Sequence, residues 1–490
     1  MAILVMTLYH LLQSSEYRST CTMYRKRKYS GLQHGAHFHP ITMPALLTGH
    51  YINEMNKKLK LLQAADGSSY LRPFALVTSL FLLWGFAHGL LDVLDKHFQN
   101  TLHISKAESG FVQFSLYIGY LAMAYPAGVF MKRFGYKNGI ILGLSLFATG
   151  AFLFYPVAKL VAFVPFLMAL FIIACGLSCL ETAANPYTTV LGPKEGAARR
   201  INIAQSFNGM GWILGPLLGG WFIFGAEKKG NAGTFDSLIP PYMYVGSIVV
   251  VVAIIFAFTR LPAIKEDNEE GIAENATVGE LFKHTGFVLA VIAQFLYVAA
   301  QTGFNSFFIN YVTESLSGVQ AVVSGMMQNL GRFGEVFMPK NPEQAASLIL
   351  ALGGMGCFWI GRLAGSWLMK FIAPARLLAL YALINTVLSF IVVIRLGWLS
   401  VIALFSAYFF MSLMFPTIFA LGIRGLGPLT KKASSFLVMA VAGGAFCPPL
   451  MGAVADHAGM SIAFIIPMCC FAFITFYAAW VNHKPMALSK

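Results

Sequence analysis

Twelve runs of apolar residues, each about as long as a membrane is thick, divide most of the sequence. Because a hydrocarbon core of ~30 Å needs roughly 20 residues of helix, each run predicts one transmembrane helix. With 57% hydrophobic and only 11% charged residues, the chain carries more apolar surface than a water-soluble domain can bury. We therefore predict an all-α polytopic membrane protein with spans 1 to 12 at Phe74–Leu94, Gly110–Met131, Gly139–Val157, Phe163–Val190, Ile201–Phe224, Tyr242–Phe258, Phe287–Tyr311, Ala345–Met369, Leu377–Ile394, Trp398–Gly422, Ser434–Val454 and Ile462–Val481.

Basic residues in the loops predict the orientation. Loops after even-numbered spans hold 14 Lys and Arg residues against 8 on the other side, and the N-terminal tail adds nine to the first side. Short cytoplasmic loops are enriched in these residues, so both termini are predicted to be cytoplasmic, in the inner or plasma membrane of the cell. A formal charge of +14 would suggest nucleic acid for a soluble protein, but here the charge is scattered through loops and a tail. The expected surroundings are membrane lipid, with no nucleic acid.

The remaining segments are polar. Residues 1–72 form a basic tail that we predict to be disordered, and its His34, His37 and His39 favour incidental histidines over a metal site because no Cys or acidic partner lies at ligand spacing. A charged linker at 262–284 separates an N-terminal bundle, 73–261, from a C-terminal bundle, 285–483, and a short tail follows at 484–490.

Short motifs of the first half return in the second half at nearly the same offset. Pro186 and Pro416 are each followed five residues later by Leu-Gly and are 230 residues apart. Pro216 and Pro449 each begin a Pro-Leu-x-Gly motif and are 233 residues apart. This agreement predicts two pseudo-symmetric six-helix bundles with a substrate site between them near the bilayer midplane.

Ionisable side chains inside a span are candidate site residues, because burying them in a membrane is costly unless they face a cavity or a partner. Glu181 lies well inside span 4, with Asn185 at i+4 and Thr188 at i+7 on the same helix face. Pro186 interrupts this polar stripe, as membrane helices tolerate beside cavities. The alternative is a buried glutamate satisfied by a neighbouring helix.

Span 1 carries Trp84, His88, Asp92 and Asp95 at helical spacing. Counting ~1.5 Å per residue from the predicted start at Phe74 places Asp92 roughly 27 Å along, near the far end of the span. An interfacial carboxylate there would be unremarkable, so a site role and an interfacial position both remain open. His88 is a candidate proton relay or a histidine hydrogen-bonded to a neighbouring helix.

Uncharged amides accompany aromatic rings on two further spans. They are Gln294, Tyr297, Gln301 and Asn305 on span 7, and Gln205, Asn208 and Trp212 on span 5. This combination suits a sugar, whose hydroxyls need paired donors and acceptors while its C–H faces pack on rings. Hydrogen bonding between helices without a ligand is the alternative. Gly211, Gly215 and Gly219, spaced by four, predict close helix packing.

Arg362 is an intramembrane cation, which either pairs with a carboxylate, contacts substrate or bridges helices near the cytoplasmic side. The sequence contains no Walker motif, nucleophile elbow, metalloprotease helix or dinucleotide fingerprint. We therefore expect neither an enzyme nor an ATP-driven pump, and no cofactor.

Four blocks carry a resemblance to a known family. From Arg72 onward the chain resembles the L-fucose–proton symporter group of the major facilitator superfamily, through the blocks Leu180–Tyr187 (LETAANPY), Gln205–Asn208 (QSFN), Phe415–Gly422 (FPTIFALG) and Ser434–Met439 (SSFLVM). In that family a helix-four glutamate and a helix-one aspartate line the central cavity and support proton coupling and sugar binding. They fall on Glu181 and Asp92, and the family's helix-five asparagine falls on Asn208.

The resemblance implies proton-coupled sugar symport by alternating access, in a monomer. L-fucose is the first expectation for the sugar. However, His88-Gly89-Leu90-Leu91 stands where fucose permeases carry asparagines, and the wider family also carries glucose, galactose or other hexoses. Alternatives are sodium coupling, facilitated diffusion, or a sugar sensor or channel. Saturable, pH-dependent uptake would distinguish a proton-coupled carrier from these.

Overall fold

Among the residues that the computed structural model describes, twelve helices are long and apolar enough to cross a membrane. The structure describes residues 62, 69–160, 162–192, 197–225, 237–259, 261, 278–369, 371–426 and 429–483, so the predictions for the N-terminal tail and its histidines lie outside the described residues. Spans 1 to 12 are Leu71–Leu102, Lys106–Met131, Tyr136–Leu160, Phe163–Thr188, Ile203–Phe224, Ile239–Phe258, Thr285–Ser315, Pro342–Leu368, Pro374–Val393, Trp398–Ile423, Ala433–Ala458 and Met460–His483.

Several spans are built from more than one helical segment. In the N-terminal half, span 2 joins the short helix Lys106–Ser109 to Phe111–Phe134, the helix of span 4 continues to Val190, and span 5 is Ala197–Gly219 followed by the π-helix Gly220–Phe224. In the C-terminal half, span 8 consists of Pro342–Leu348, the π-helix Ile349–Met355 and Gly356–Leu368, and span 10 of Trp398–Met411 and Met414–Ile423. Span 11 consists of Thr430–Met439, Ala440–Ala442 and Gly443–Ala458, and span 12 of Met460–Ala463 and Ile465–His483. Shorter helices outside the spans are Val278–Lys283, Val319–Gln328 and Gly331–Val336.

Span 1 differs most from its predicted bounds, since its helix continues past Leu94 to Leu102. The charged and polar residues from Asp95 onward lower the local hydropathy, yet no glycine or proline interrupts the helix there. It ends where His103 adopts a left-handed conformation with φ of 54°. Asp92 therefore lies inside a long helix.

The two halves repeat one packing scheme. Span 1 packs on span 5, span 3 on spans 4 and 6, and span 2 on span 4; correspondingly span 7 packs on span 11, span 9 on spans 10 and 12, and span 8 on span 10. The halves meet through span 2 with span 11, span 5 with span 8, and span 1 with span 7. This arrangement confirms the prediction of two pseudo-symmetric six-helix bundles.

Glycines allow span 5 to lie directly against span 1. A Cβ added to Gly211 would lie 2.4 Å from the Leu82 carbonyl oxygen, and one on Gly215 would lie 2.5 Å from the Gly89 carbonyl carbon. Only a residue without a side chain fits so close to a neighbouring backbone. The predicted glycine packing is present at this contact.

The halves touch closely at one end of the bundle, which we call the connector end because the helix Lys106–Ser109 lies there. A Cβ on Gly110 of span 2 would lie 2.5 Å from the Pro449 nitrogen of span 11. Farther along the same face of span 2, Leu121 is 41% exposed and Tyr125 is 81% exposed. Span 2 and span 11 are thus in direct contact at the connector end, whereas Leu121 and Tyr125 farther along span 2 remain accessible.

Polar contacts reinforce the connector end. The Lys106 ammonium lies 3.0 Å from a Glu314 carboxylate oxygen at the end of span 7. The carboxylate of Asp456, at the end of span 11, accepts hydrogen bonds from the backbone amides of Lys106 at 3.1 Å and Ala107 at 3.0 Å. Both interactions cross from one half to the other, so they hold this end closed.

Candidate functional site

Glu181 occupies the middle of the N-terminal half. It lies on span 4, is half-buried, and has Tyr117 and Tyr120 of span 2 within electrostatic range. Span 4 is mainly apolar before this residue, whereas Asn185 and Thr188 follow it on the same face of the helix. Because the residue keeps partial exposure, its carboxylate is placed to exchange a proton with water or a substrate.

An aromatic cluster lies next to this glutamate. The His88 ring stacks on Trp212 of span 5, with centroids 5.2 Å apart and planes at 27°. His88 Nε2 and the Tyr120 hydroxyl are 3.0 Å apart, and Trp84 meets the His88 ring edge-on at 6.1 Å. Three spans therefore bring flat apolar faces and polar atoms together, as a sugar ring requires.

Asp92 and Asp95 lie deeper. Asp92 is 1% exposed and Asp95 is 0% exposed. The Gln113 amide of span 2 lies 3.5 Å from Asp92 Oδ1, at the limit of hydrogen bonding, and within the described residues Asp92 Oδ2 and both Asp95 oxygens have no hydrogen-bond partner. Asp92 is thus a carboxylate enclosed by the protein.

The amide side chains of spans 4 and 5 differ in their access: two are partly exposed, and one is buried between helices. The Gln205 amide nitrogen lies 3.5 Å from Asn185 Oδ1, and both residues are half-buried. Asn208 is buried and its amide nitrogen donates to the Phe81 carbonyl oxygen of span 1 at 3.1 Å. Asn208 therefore helps to hold span 5 against span 1, while Gln205 and Asn185 keep partial access.

The four predicted residues of span 7 have different surroundings. Tyr297 is buried, and its hydroxyl donates to the Met411 carbonyl oxygen of span 10 at 3.0 Å. Gln294 and Asn305 are buried, and neither the amide atoms of Gln294 nor Asn305 Oδ1 has a hydrogen-bond partner within the described residues. Gln301 is half-buried and is the member of this set best placed to meet a ligand.

Arg362 lies on span 8 in the C-terminal half. Its guanidinium carbon is 5.1 Å from the centre of the Phe358 ring, and Tyr297 is within electrostatic range. Its Nε is buried with no hydrogen-bond partner within the described residues, and no carboxylate among them pairs with it in this conformation. A cation in this position is available to a polar ligand between the halves.

Span 2 supplies candidate site residues that the sequence did not single out. Gln113, Tyr117 and Tyr120 follow one another at i, i+4 and i+7, and they face Asp92, Thr302 and His88, respectively. Their helical spacing is visible in the sequence. However, span 2 contains other uncharged polar residues as well, so this spacing alone does not distinguish site residues from packing residues. The Tyr117 hydroxyl accepts from Thr302 Oγ1 of span 7 at 3.0 Å, which links the two halves at mid-span.

Side chains from spans 1, 2, 4, 5 and 7 thus converge where the two halves meet. The set combines carboxylates, amides and aromatic rings. Among the described residues no three His, Cys, Asp or Glu side chains are grouped so as to hold a metal ion. The chemistry that these residues offer is proton exchange and the binding of a polar, uncharged molecule.

Two six-helix halves with a polar site buried at their boundary define a secondary transporter. The model of the Major Facilitator Superfamily matches residues 74–440. The chain belongs to the Major Facilitator Superfamily, in its L-fucose–proton symporter group. Membership of this family makes it a multi-pass membrane transporter and not an enzyme.

Curated relatives support the family assignment. The L-fucose-proton symporter of Escherichia coli (strain K12) is 39% identical over 435 residues, covering 85% of this chain and 94% of that protein. A glucose/galactose transporter of Brucella abortus biovar 1 is 34% identical over 402 residues, covering 82% of this chain and 92% of the relative.

Solved structures agree on the fold. The crystal structure of FucP, a transporter of this superfamily in the outward conformation, is 38% identical, superposes with a TM-score of 0.59, and the match covers 84% of this chain and 99% of that one. The inward open xylose transporter XylE of E. coli superposes with a TM-score of 0.62 at 14% identity, and the match covers 83% of this chain and 95% of that one. At that identity the likeness to XylE concerns the fold alone.

Proposed function

We propose that this protein carries a sugar, L-fucose in the first instance, across the membrane together with protons by alternating access. The observation that supports this most strongly is the convergence of Glu181 with the His88–Tyr120–Trp212 cluster at the boundary between the halves. The E. coli relative named as an L-fucose-proton symporter supports the substrate class and the coupling ion.

The sugar would bind between the aromatic cluster and the accessible amides. Trp212 is partly exposed and would offer a ring face for the C–H side of a hexose, with the buried His88 stacked against it. Gln205 and Asn185 of the same half would offer donors and acceptors for its hydroxyls. Gln301 and Arg362 would contact the sugar from the C-terminal half. Asn208, Gln294, Tyr297 and Asn305 would shape this site from positions buried behind it.

Glu181 and Asp92 would carry the proton. A carboxyl group is favoured in its neutral form when it is buried and in its charged form when it is exposed to water. Exposure of these groups first to one side of the membrane and then to the other would therefore let them take up a proton and release it. Glu181 is half-buried beside the aromatic cluster, and Asp92 is closed off beneath it. This difference supports a relay in which sugar and proton share one cavity.

The excess of basic residues in the loops after even-numbered spans supports a cytoplasmic position for both termini. The transporter would act as a monomer in the inner or plasma membrane. With that orientation the connector end would face outward, and the exposed Leu121 and Tyr125 of span 2 support a site that opens toward the cytoplasm. The conformation would then be inward-facing. Rocking of one half against the other would open the connector end in turn.

The decisive experiment is uptake of labelled L-fucose, glucose and galactose into proteoliposomes, with and without an imposed inward proton gradient. Accumulation of L-fucose that depends on the gradient is the expected result. Accumulation of the sugar that depends on a sodium gradient instead would show that sodium, and not the proton, is the coupling ion. Absence of saturable uptake for all three sugars would refute sugar transport.

A second candidate substrate is glucose or galactose. The Brucella abortus relative named as a glucose/galactose transporter is 34% identical over most of both chains. His88, the first residue of the segment that differs from the fucose permeases, belongs to the aromatic cluster, so this difference would change the surface that the sugar meets. In the same uptake experiment, accumulation of glucose or galactose but not of L-fucose would change the assigned substrate and leave the proposed mechanism unchanged.

A further inference from the structure

We infer that Asp95 is a second proton-binding residue, whose proton holds the connector end of the transporter closed. This inference rests on the proposed proton-coupled function and adds a residue to it. Three observations support it: Asp95 is fully buried, both its carboxyl oxygens lack a hydrogen-bond partner within the described residues, and the side chain lies against the opposite half.

Asp95 is fully enclosed in the protein. It lies one helical turn after Asp92 on span 1, and neither residue exposes more than 1% of its surface. At a spacing of three residues the two carboxyl groups lie on the same side of the helix. Two negative charges this close, in a site that water does not reach, repel each other and lose their solvation.

The groups that face the pair are neutral. The Gln113 amide and the Ser306 hydroxyl lie beside Asp95, while Tyr117 and Tyr408 lie within electrostatic range of Asp92. Within the described residues no Lys, Arg or His side chain forms an ion pair or a hydrogen bond with either carboxyl group, and three of their four oxygens have no hydrogen-bond partner. Unpaired anions are not stable in such a site, whereas protonated carboxyl groups supply the donors that are missing.

Ser306 connects Asp95 to the other half. It lies on span 7, is fully buried, and its hydroxyl also has no hydrogen-bond partner within the described residues. A protonated Asp95 offers it an O–H donor. Loss of that proton would place a charge at the junction of spans 1 and 7, and separation of the halves would relieve it by admitting water.

The surrounding bonds show that this junction belongs to the closed end. The Asn310 amide of span 7 donates to Gln99 Oε1 of span 1 at 2.5 Å, and the Gln99 amide donates to Ser109 Oγ at 2.7 Å. Ser109 lies in the short helix at the connector end and is fully buried. Asp95, one turn before Gln99, is therefore next to the contacts that must break when this end opens.

Labelling of a buried thiol tests the inference without any sugar. In full-length protein whose seven native cysteines are replaced, Ser109→Cys is reacted with a membrane-impermeant maleimide over the range from about pH 5 to pH 8. Glu335→Cys, on the exposed helix Gly331–Val336, is the matched control for the reagent's own pH dependence. Relative to this control, we expect labelling at position 109 to rise about tenfold with pH as Asp95 loses its proton.

Substitution of Asp95 then identifies the group responsible. We expect Asp95→Asn, which cannot ionise, to keep labelling low at every pH, and Asp95→Glu to restore the rise with a shifted midpoint. An unchanged profile in Asp95→Asn would assign the dependence to another group, such as Asp92, and overturn the inference. Suppression of labelling by sodium at fixed pH would assign the site to a metal cation, which also overturns it.

Two further measurements separate the possible failures. If Asp95→Asn and Asp95→Glu both lose sugar counterflow and elute as aggregates, the residue is needed for packing and the inference fails. If the unsubstituted protein shows no gradient-driven sugar uptake, the proposed function fails, whatever the labelling result. In a symporter that accumulates sugar, Asp95→Asn should lower the accumulation ratio at least tenfold.

Discussion

At the scale of single residues, access distinguishes the polar side chains inside the spans. Glu181, Gln205 and Gln301 are half-buried, whereas Asp92 and Gln294 are closed off almost completely. A group with access to the space between the halves is able to exchange partners during transport. A fully enclosed group does so only when the halves move apart.

Replacing Glu181 with glutamine tests its role in coupling. Glutamine keeps the size and the hydrogen-bonding capacity of the side chain but cannot take up and release a proton. We expect Glu181→Gln to reduce gradient-driven accumulation at least tenfold, and to leave sugar counterflow partly intact. Accumulation at the wild-type level in proteoliposomes would remove Glu181 from the proton pathway.

For the amides of span 7, Gln301→Ala and Asn305→Ala should both weaken sugar binding. A neutral hydrogen bond contributes about 1 kcal/mol, so the loss at Gln301 should be about fivefold in affinity. Gln328→Ala, on an exposed face of the helix Val319–Gln328, is the control and should bind as wild type. Wild-type affinity in both test variants, measured by calorimetry, would show that the stripe serves packing.

The sequence indicated which polar residues lie inside the spans, but not which residues they contact. The depth of Glu181 in an apolar run was readable, and so was the glycine repeat around Gly215. Helical spacing also placed Tyr297 on one side of span 7, but its hydroxyl bonds to Met411 of span 10. The spacing of residues along one helix shows which side chains lie on the same face. Which helix packs against that face depends on the rest of the fold.

At the scale of helices, the contact between spans 1 and 5 gives a prediction for stability. A Cβ at Gly211 would lie 2.4 Å from one backbone atom of span 1 and 2.5 Å from another, at Leu82 and Phe86. Gly211→Ala should therefore separate the two helices and lower the apparent melting temperature by several degrees, as measured by a thermal-shift assay in detergent.

Gly325→Ala is the matched control for that variant. Its Cβ would meet no atom within 4 Å, and the residue lies inside the helix Val319–Gln328. Alanine favours a helix over glycine, so this change should leave the melting temperature unchanged or raise it slightly. Equal melting temperatures in the two variants would contradict the assignment of Gly211 to close packing.

The π-helical segments Gly220–Phe224 and Ile349–Met355 were not predictable from sequence. Their residues are ordinary for a membrane helix, and both segments lie where spans 5 and 8 are in contact. A Cβ on Gly220 would lie 1.9 Å from Ser347 Oγ, so the two spans approach closely there. Such segments often occur at functional sites, and these lie between the halves.

At the scale of the whole molecule, the ion pair between Lys106 and Glu314 contributes to closure of the connector end. Both side chains are partly exposed, at 20% and 35%, so the pair contributes only about 0.2–1 kcal/mol. Lys106→Glu should replace attraction by repulsion and raise labelling of the Ser109→Cys thiol about threefold.

The exchanged pair provides the control. Lys106→Glu combined with Glu314→Lys restores opposite charges at the same positions, so labelling should return toward the parent value. If the double substitution labels as fast as Lys106→Glu alone, the ion pair has no part in holding the halves together. Raised salt should weaken the effect of the single change, because the pair is near water.

The short helix Lys106–Ser109 depends on both halves for the hydrogen bonds at its start. Ser105 and Glu108 bond each other's backbone amides, whereas the amides of Lys106 and Ala107 bond Asp456 from the opposite half. When the connector end opens, these two amides lose their acceptor and meet water. Hydrogen–deuterium exchange at Lys106 and Ala107 therefore reports the state of the transport cycle without any label, slow when this end is closed and fast when it is open.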